Sequence, residues 1–123
     1  MLGASLCAVG VALGAFGAHA VSDTLNSVQK EWWDTATDYV WYHGLAFLAV
    51  SARGLDSEIE NVIRRLLLPG IIIFSGSLYL YAFTGFRPLG MMTPIGGSLL
   101  LFGWLKVLWI LKRTHPPHND EGL

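Results

Sequence analysis

Two histidines and several tyrosine, serine and threonine side chains stand out in this sequence, because they lie in or beside strongly apolar segments. An ionisable side chain inside a membrane helix is a candidate for function, since lipid disfavours it. His43 is the clearest case, and Tyr39 lies four residues before it on the same helix face. We expect one polar cluster, built from His19, Asp38, Tyr39, Tyr42, His43, Ser75, Ser77, Tyr79 and Thr93.

Several kinds of chemistry fit this cluster, and the residues alone do not decide between them. The polar side chains can hydrogen bond to one another and fix the packing of the helices. Alternatively, histidine and tyrosine can orient a small amphipathic ligand, a lipid or a quinone, in a pocket. A metal or haem held by His19 and His43 is a weaker interpretation, because no third ligand has a telling spacing. Proton relay by Asp38 and His43 is a further alternative.

Signatures of the common enzyme classes are absent from the sequence. It contains no nucleophile elbow, no glycine-rich loop between a strand and a helix, and no HExxH motif. The single cysteine, Cys7, excludes an intrachain disulfide and cysteine-based zinc spacing. A net charge of −1 without a large basic cluster argues against nucleic-acid binding. We predict no catalytic residue, no metal and no cofactor.

The elements that must position these residues are membrane helices. Hydrophobic residues make up 53% of the 123 residues and charged residues only 14%, against roughly a quarter charged in soluble domains. The 21 residues between Arg65 and Arg87 include no Asp, Glu, Lys or Arg, and neither do the 18 between Arg87 and Lys106. A helix needs roughly 20 such residues to cross a bilayer. The predicted fold is an all-α membrane protein, with four transmembrane helices in a compact bundle.

The apolar runs place these helices at about residues 2–20, 35–52, 66–83 and 91–111. The second is the weakest, because only 14 uncharged residues separate Asp38 from Arg53. Helix three is expected to begin before the membrane, at a capping box with Ser57 as N-cap and Glu60 reaching back. Pro69 is expected to bend it.

Two segments outside these helices have patterns of their own. Apolar residues recur at helical spacing from Val21 to Trp32, which predicts a short interfacial amphipathic segment between helices one and two. The chain is thus divided into a four-helix transmembrane domain, residues 1–113, and a disordered cytoplasmic tail, residues 114–123.

Glycines inside the apolar helices are interpreted as packing residues, since a helix face without side chains lets a neighbouring backbone approach in lipid. Gly3, Gly10, Gly14 and Gly17 share one face of the first helix, and this face is consistent both with packing inside the monomer and with self-association. The predicted packing set is Gly10, Gly14, Gly17, Gly76, Gly96, Gly97 and Gly103.

The basic residues predict an orientation. Five of them lie in the second loop or after helix four, whereas the opposite side holds only Lys30 and Arg87. The positive-inside rule therefore places both termini in the cytoplasm of a bacterium with an inner membrane, or in the matrix of a mitochondrion. The five are Arg53, Arg64, Arg65, Lys112 and Arg113.

Five ordered motifs carry a family resemblance: GAFGAHA at 14–20, WxTAxxYxxYH at 33–43, FSGSLY at 74–79, TPIGG at 93–97 and GW at 103–104. In these motifs the chain resembles the domain of unknown function 423 family, which includes bacterial inner-membrane proteins and the animal transmembrane protein 256. The resemblance covers about residues 3–111.

The resemblance implies four short helices in a small membrane protein without an agreed activity. It assigns no catalytic role to any residue, and Asp34 and Asp38 lie outside its pattern. The motif positions that it marks in this chain are His19, Tyr39, His43, Ser75, Ser77, Thr93, Pro94, Gly96 and Gly97.

Our first functional hypothesis is that the protein, embedded in the lipid bilayer, is a structural or accessory subunit. It would belong to a homo-oligomer or to a larger membrane complex. The alternative is a membrane-embedded binding or transport protein. It would hold a small amphipathic ligand, a lipid or a quinone through the histidine and tyrosine cluster.

Overall fold

The computed structural model describes residues 1–54 and 56–114, and every regular element in these ranges is a helix. Helix α1 comprises Leu2–His19, α2 Ser27–Ala52, α3 Ser57–Thr84 and α4 Arg87–Thr114. Of these, α1, α3 and α4 are long and apolar enough to cross a membrane. The predicted class, an all-α membrane protein of four helices, is confirmed.

Helix α2 is set apart by its charged N-terminal half, which holds Lys30, Glu31, Asp34 and Asp38. It nevertheless lies along its neighbours over most of its length. It is antiparallel to α1, with Trp33 beside Gly17 near one end and Gly44 beside Gly3 near the other. Its C-terminal half is therefore placed beside helices that are themselves candidate membrane spans.

The four helices follow one another as antiparallel neighbours. α2 packs on α3 and α3 packs on α4, whereas α1 packs on α2 alone within the part of the chain that the structure describes. A hydrogen bond from Trp104 of α4 to His43 of α2 closes the three-helix core. Helix α1 lies at the edge of this bundle, where Leu6 and Leu13 pack against the two core clusters.

The apolar core has two parts. A smaller cluster, formed by Val21, Leu25, Trp33 and Ala82, lies where α1 turns into α2. The larger cluster lies between α2, α3 and α4 and consists of Val40, Phe47, Ile59, Val62, Ile63, Leu67, Ile71, Leu100, Val107 and Ile110.

The segment between α1 and α2 differs in form from the predicted amphipathic helix. The chain turns at residues 20–25, and Asn26 then caps α2 through a reciprocal pair of hydrogen bonds with Gln29, each 2.9 Å long. Val21 and Leu25 are buried, but Val28 is 48% exposed. The cap at Asn26 divides the apolar pattern between a turn and the first turn of α2.

The beginning of α3 also differs from its prediction. Asp56, not Ser57, is the N-cap, and its carboxylate accepts a hydrogen bond of 2.8 Å from the Glu58 backbone N–H. Ahead of Pro69 the helix widens into a π-helical turn over Ile63–Leu67. Proline has no N–H and crowds the carbonyl four residues before it, so a wider preceding turn relieves the conflict.

The connection between α3 and α4 is shorter than predicted. Gly85 ends α3 with a left-handed backbone (φ 64°), a conformation that glycine adopts readily at the end of a helix. Helix α4 then begins at Arg87, ahead of the predicted start at about residue 91, because a proline such as Pro88 is tolerated in the first turn. α4 continues to Thr114, and residues 115–123 of the predicted tail lie outside the described residues.

Candidate functional site

His43 lies in the middle of α2 and is only 5% exposed. Its Nδ1 is 2.7 Å from the carbonyl oxygen of Tyr39, and its Nε2 is 3.0 Å from the indole nitrogen of Trp104. An indole N–H only donates, so Nε2 is the acceptor and Nδ1 carries the proton that it donates to Tyr39. His43 is therefore a neutral imidazole with both ring nitrogens in use.

Aromatic rings surround this histidine. Tyr39, Phe47 and Trp104 have ring centroids 6.0, 6.2 and 5.8 Å from its own. The Tyr39 ring in turn packs on Phe74 of α3 at 4.3 Å. The imidazole thus links α2 to α4 by a hydrogen bond and lies within an aromatic contact between α2 and α3.

A second group of polar contacts joins α1, α2 and α3 one to three turns before His43. The Thr37 hydroxyl donates to the Trp33 carbonyl at 2.9 Å and accepts from the Tyr79 hydroxyl at 2.9 Å. The Trp33 indole N–H donates to the Leu13 carbonyl of α1 at 3.0 Å. The Trp33 ring also packs edge-on against Tyr79, at a centroid distance of 4.6 Å.

Two serines of α3 complete the network. Ser75 donates to the Ala36 carbonyl of α2 at 2.9 Å. Ser77 donates to the Phe74 carbonyl at 2.9 Å and accepts from the Thr93 hydroxyl of α4 at 2.8 Å. Every buried side-chain nitrogen or oxygen within residues 1–54 and 56–114 has a hydrogen-bond partner.

The predicted cluster is brought together only in part. Tyr39, His43, Ser75, Ser77, Tyr79 and Thr93 take part in contacts between helices. His19, Asp38 and Tyr42 are exposed, Tyr42 by 60%. α1 ends beside Trp33, ten residues from His43, so His19 lies about 15 Å along the bundle from that ring.

Three important residues were missing from the predicted cluster: Trp33, Thr37 and Trp104. Each tryptophan bears an N–H that needs an acceptor when it is buried. This requirement could have identified Trp33 and Trp104 from the sequence as members of the cluster. Thr37 lies four residues from both Trp33 and Trp41, but this spacing does not reveal its partner on α3.

Most of the predicted packing glycines lie where a side chain would collide with a neighbouring helix. A Cβ at Gly10 would lie 3.0 Å from the Trp41 ring, and one at Gly103 would collide with Leu67. A Cβ at Gly96 would lie 2.8 Å from the Cα of Phe74 and would collide with that backbone. Gly14 and Gly97 make ordinary contacts, whereas Gly76 has nothing within 4 Å.

No group of three or more His, Cys, Asp or Glu side chains within the described ranges could hold a metal ion. Two grooves lie instead at the end of the bundle where α2 ends and α3 begins. The larger, of about 500 Å³, lies between α1, α2 and α3, and the smaller, of about 300 Å³, between α3 and α4. Neither is lined by a residue of the polar network.

Comparison with known proteins identifies relatives over most of the chain. The family model described as "Protein of unknown function (DUF423)" matches residues 13–97. The UPF0382 membrane protein SSP2132 of Staphylococcus saprophyticus is 43% identical over 109 residues, 88% of this chain and 91% of the relative. The UPF0382 inner membrane protein YgdD of Escherichia coli is 40% identical over 100 residues, 80% of this chain and 76% of the relative.

No solved structure matches this chain significantly. The relatives are named as membrane or inner membrane proteins, and their names state no activity. The family model spans well over half of the chain, and the predicted resemblance is confirmed. This chain therefore belongs to the DUF423 family, a family of membrane proteins of unknown function.

Proposed function

We propose that this protein is a non-enzymatic structural or accessory membrane protein that packs against another membrane protein or a second copy of itself. The observation that carries the proposal is the position of α1. Among the described helices, only α2 packs closely along this helix, and only Gly3 and Gly10 among its 18 residues are buried. Most of its surface is therefore available to a partner in the membrane.

The outward surface of α1 has the composition of a helix-packing face. Ala4, Ala8, Ala12 and Ala15 are all exposed and recur at spacings of four, four and three residues. This alanine face lies on the side of α1 roughly opposite the glycines that contact α2. In lipid, small residues at this spacing let two helices approach closely enough for van der Waals packing.

The sequence-based form of this hypothesis rested on Gly10, Gly14 and Gly17 of α1, together with Gly96 and Gly103 of α4. The α1 glycines face Trp41, Thr37 and Trp33 of α2, and the α4 glycines face Phe74 and Leu67 of α3. The surface that we propose for a partner is accordingly the alanine face.

The alternative function, binding of a small amphipathic ligand at His43, has less support. Both ring nitrogens already have partners within the bundle. A ligand that bonded to this histidine would first have to displace the Trp104 indole or the Tyr39 carbonyl. A filled network of this kind is what helix packing requires.

The proposal can be tested with a photo-crosslinking amino acid introduced at Ala12, in cells that produce the protein in its own membrane. We expect a discrete protein adduct. The matched control is the same amino acid at Leu101, which is 59% exposed on α4 and should give mainly lipid adducts. A second variant, Ala8→Leu with Ala12→Leu, should remove the partner from gently extracted protein without unfolding it, because both positions are exposed.

Two results would overturn the proposal. One is lipid adducts alone at both positions, together with a monomeric protein after mild extraction. The other is a partner that the two leucines leave unaffected, since it would then bind elsewhere on the molecule.

A further inference from the structure

The smaller groove has the composition of an anion site at a membrane surface. It lies between the first turns of α3 and the last turns of α4, holds about 300 Å³, and is lined by Glu58, Asn61, Val62, Arg65, Leu66 and Lys106. Two cations and one amide thus share a groove with two aliphatic side chains. A phosphate bonds to the first set, and the start of an acyl chain packs on the second.

The negative charge in this groove is already compensated. The Glu58 carboxylate accepts a hydrogen bond of 2.7 Å from Arg113, whose guanidinium also lies 4.5 Å from the Trp109 ring centroid. Arg65 and Lys106 have no ion-pair partner within residues 1–54 and 56–114. Their two positive charges are therefore available to a ligand.

The groove also lies at the depth of lipid phosphates. Arg65 is eight residues after the start of α3 and Lys106 eight residues before the end of α4, about 12 Å along each helix. Beyond Arg65, residues 66–83 are uncharged and span about 27 Å, close to the thickness of the hydrocarbon core. Arg65 and Lys106 consequently lie at the boundary between hydrocarbon and headgroups.

We infer that this groove binds the phosphate of an anionic phospholipid, with Arg65 and Lys106 as its charged contacts and Leu66 beneath the acyl chain. The larger groove is a poorer anion site, because Arg64 pairs there with Glu60 at 3.4 Å. This inference is independent of the proposed partner on α1, since the groove lies between α3 and α4.

The test is native mass spectrometry of the full chain, titrated with phosphatidylglycerol and, separately, with phosphatidylcholine of the same acyl chains. We expect one phosphatidylglycerol to bind preferentially. Replacing Arg65→Gln and Lys106→Gln together should reduce that preference about thirtyfold. The control pair, Arg53→Gln and Lys112→Gln, removes the same amount of charge outside the groove. This variant should retain the preference for phosphatidylglycerol.

Each other outcome overturns the inference. Equal binding of the two lipids removes the preference for an anionic headgroup. An equal loss in both double variants would mean that surface charge acts without a defined site. Inorganic phosphate that competes at the same concentration as phosphatidylglycerol would identify a free anion site, with no part for the acyl chain. Circular dichroism of both variants checks that they are folded.

Discussion

At the scale of single residues, His43 shows how a histidine can be stable in an apolar bundle. Its neutral ring donates to a carbonyl of its own helix and accepts from Trp104 of another. Removing either partner would leave the other with a buried polar atom that has no hydrogen-bond partner and no water to replace it. The histidine and the indole therefore depend on each other, and both appear in the family motifs.

The first prediction concerns this pair. Trp104→Phe should lower the free energy of unfolding in detergent by about 1–2 kcal/mol, because His43 Nε2 loses its donor. Thermal unfolding followed by circular dichroism measures the change. Trp109→Phe is the matched control, since Trp109 is 56% exposed, and it should have little effect.

Combining Trp104→Phe with His43→Ala in a double-mutant cycle isolates the bond itself. Coupling of about 0.6–1.7 kcal/mol is expected for a hydrogen bond between membrane helices. Strictly additive effects would show that the contact contributes nothing to stability.

At the scale of helices, close approach is set by the glycines of α3 and α4. Gly96 abuts the backbone of Phe74, and Gly70 lies near Leu100. These contacts bring the two helices near enough for the hydrogen bond of 2.8 Å between Ser77 and Thr93. In lipid, such packing replaces the hydrophobic driving force that soluble bundles use.

The second prediction compares two glycines in neighbouring helices. Gly96→Ala should destabilise the protein by about 1–3 kcal/mol, because the added methyl meets backbone atoms that cannot move independently. Gly76→Ala adds the same methyl where nothing lies within 4 Å and should be neutral or slightly stabilising. Thermal unfolding of both variants measures the difference, and equal destabilisation would contradict the packing described for α3 and α4.

The sequence predicted the helices better than their ends and their faces. Long uncharged runs indicate α1, α3 and α4, because crossing a bilayer imposes a minimum length. Asp56 and Ser57 are both common N-cap residues, and either could adopt the extended backbone of an N-cap. The sequence therefore did not decide which of the two caps the helix. The partners of Thr37 and Trp104 depend on how each helix is rotated, and one helix's own periodicity does not fix that rotation.

At the scale of the whole molecule, the antiparallel order of α1–α4 places the start of α1, the end of α2, the start of α3 and the end of α4 at one end of the bundle. The basic residues Arg53, Arg64 and Lys112 lie at that same end. By the positive-inside rule, we predict that this end faces the cytoplasm in a bacterium.

The third prediction tests this orientation. In a Cys7→Ala background, Ser57→Cys should be protected from a membrane-impermeant maleimide added to intact cells, whereas Asp23→Cys should react. Both positions are exposed, so permeabilised cells should label both and provide the control. The opposite pattern would reverse the predicted topology.

The polar network and the free surface of α1 together lead to one view of the molecule. Its polar side chains hold its own helices together, and the function that we propose depends on what the protein contacts from outside. His19 and Tyr42, the exposed members of the predicted cluster, do not alter this view. The two ring nitrogens of His43 bond to Tyr39 and Trp104 instead.

The most direct test is native mass spectrometry with an absorption spectrum, on protein extracted gently from its own membranes. We expect no Soret band, and a mass equal to the chain plus a second polypeptide, with or without lipid, that His43→Gln leaves unchanged. A Soret band, or a small molecule of fixed mass that His43→Gln removes, would contradict this expectation and make His43 a binding residue.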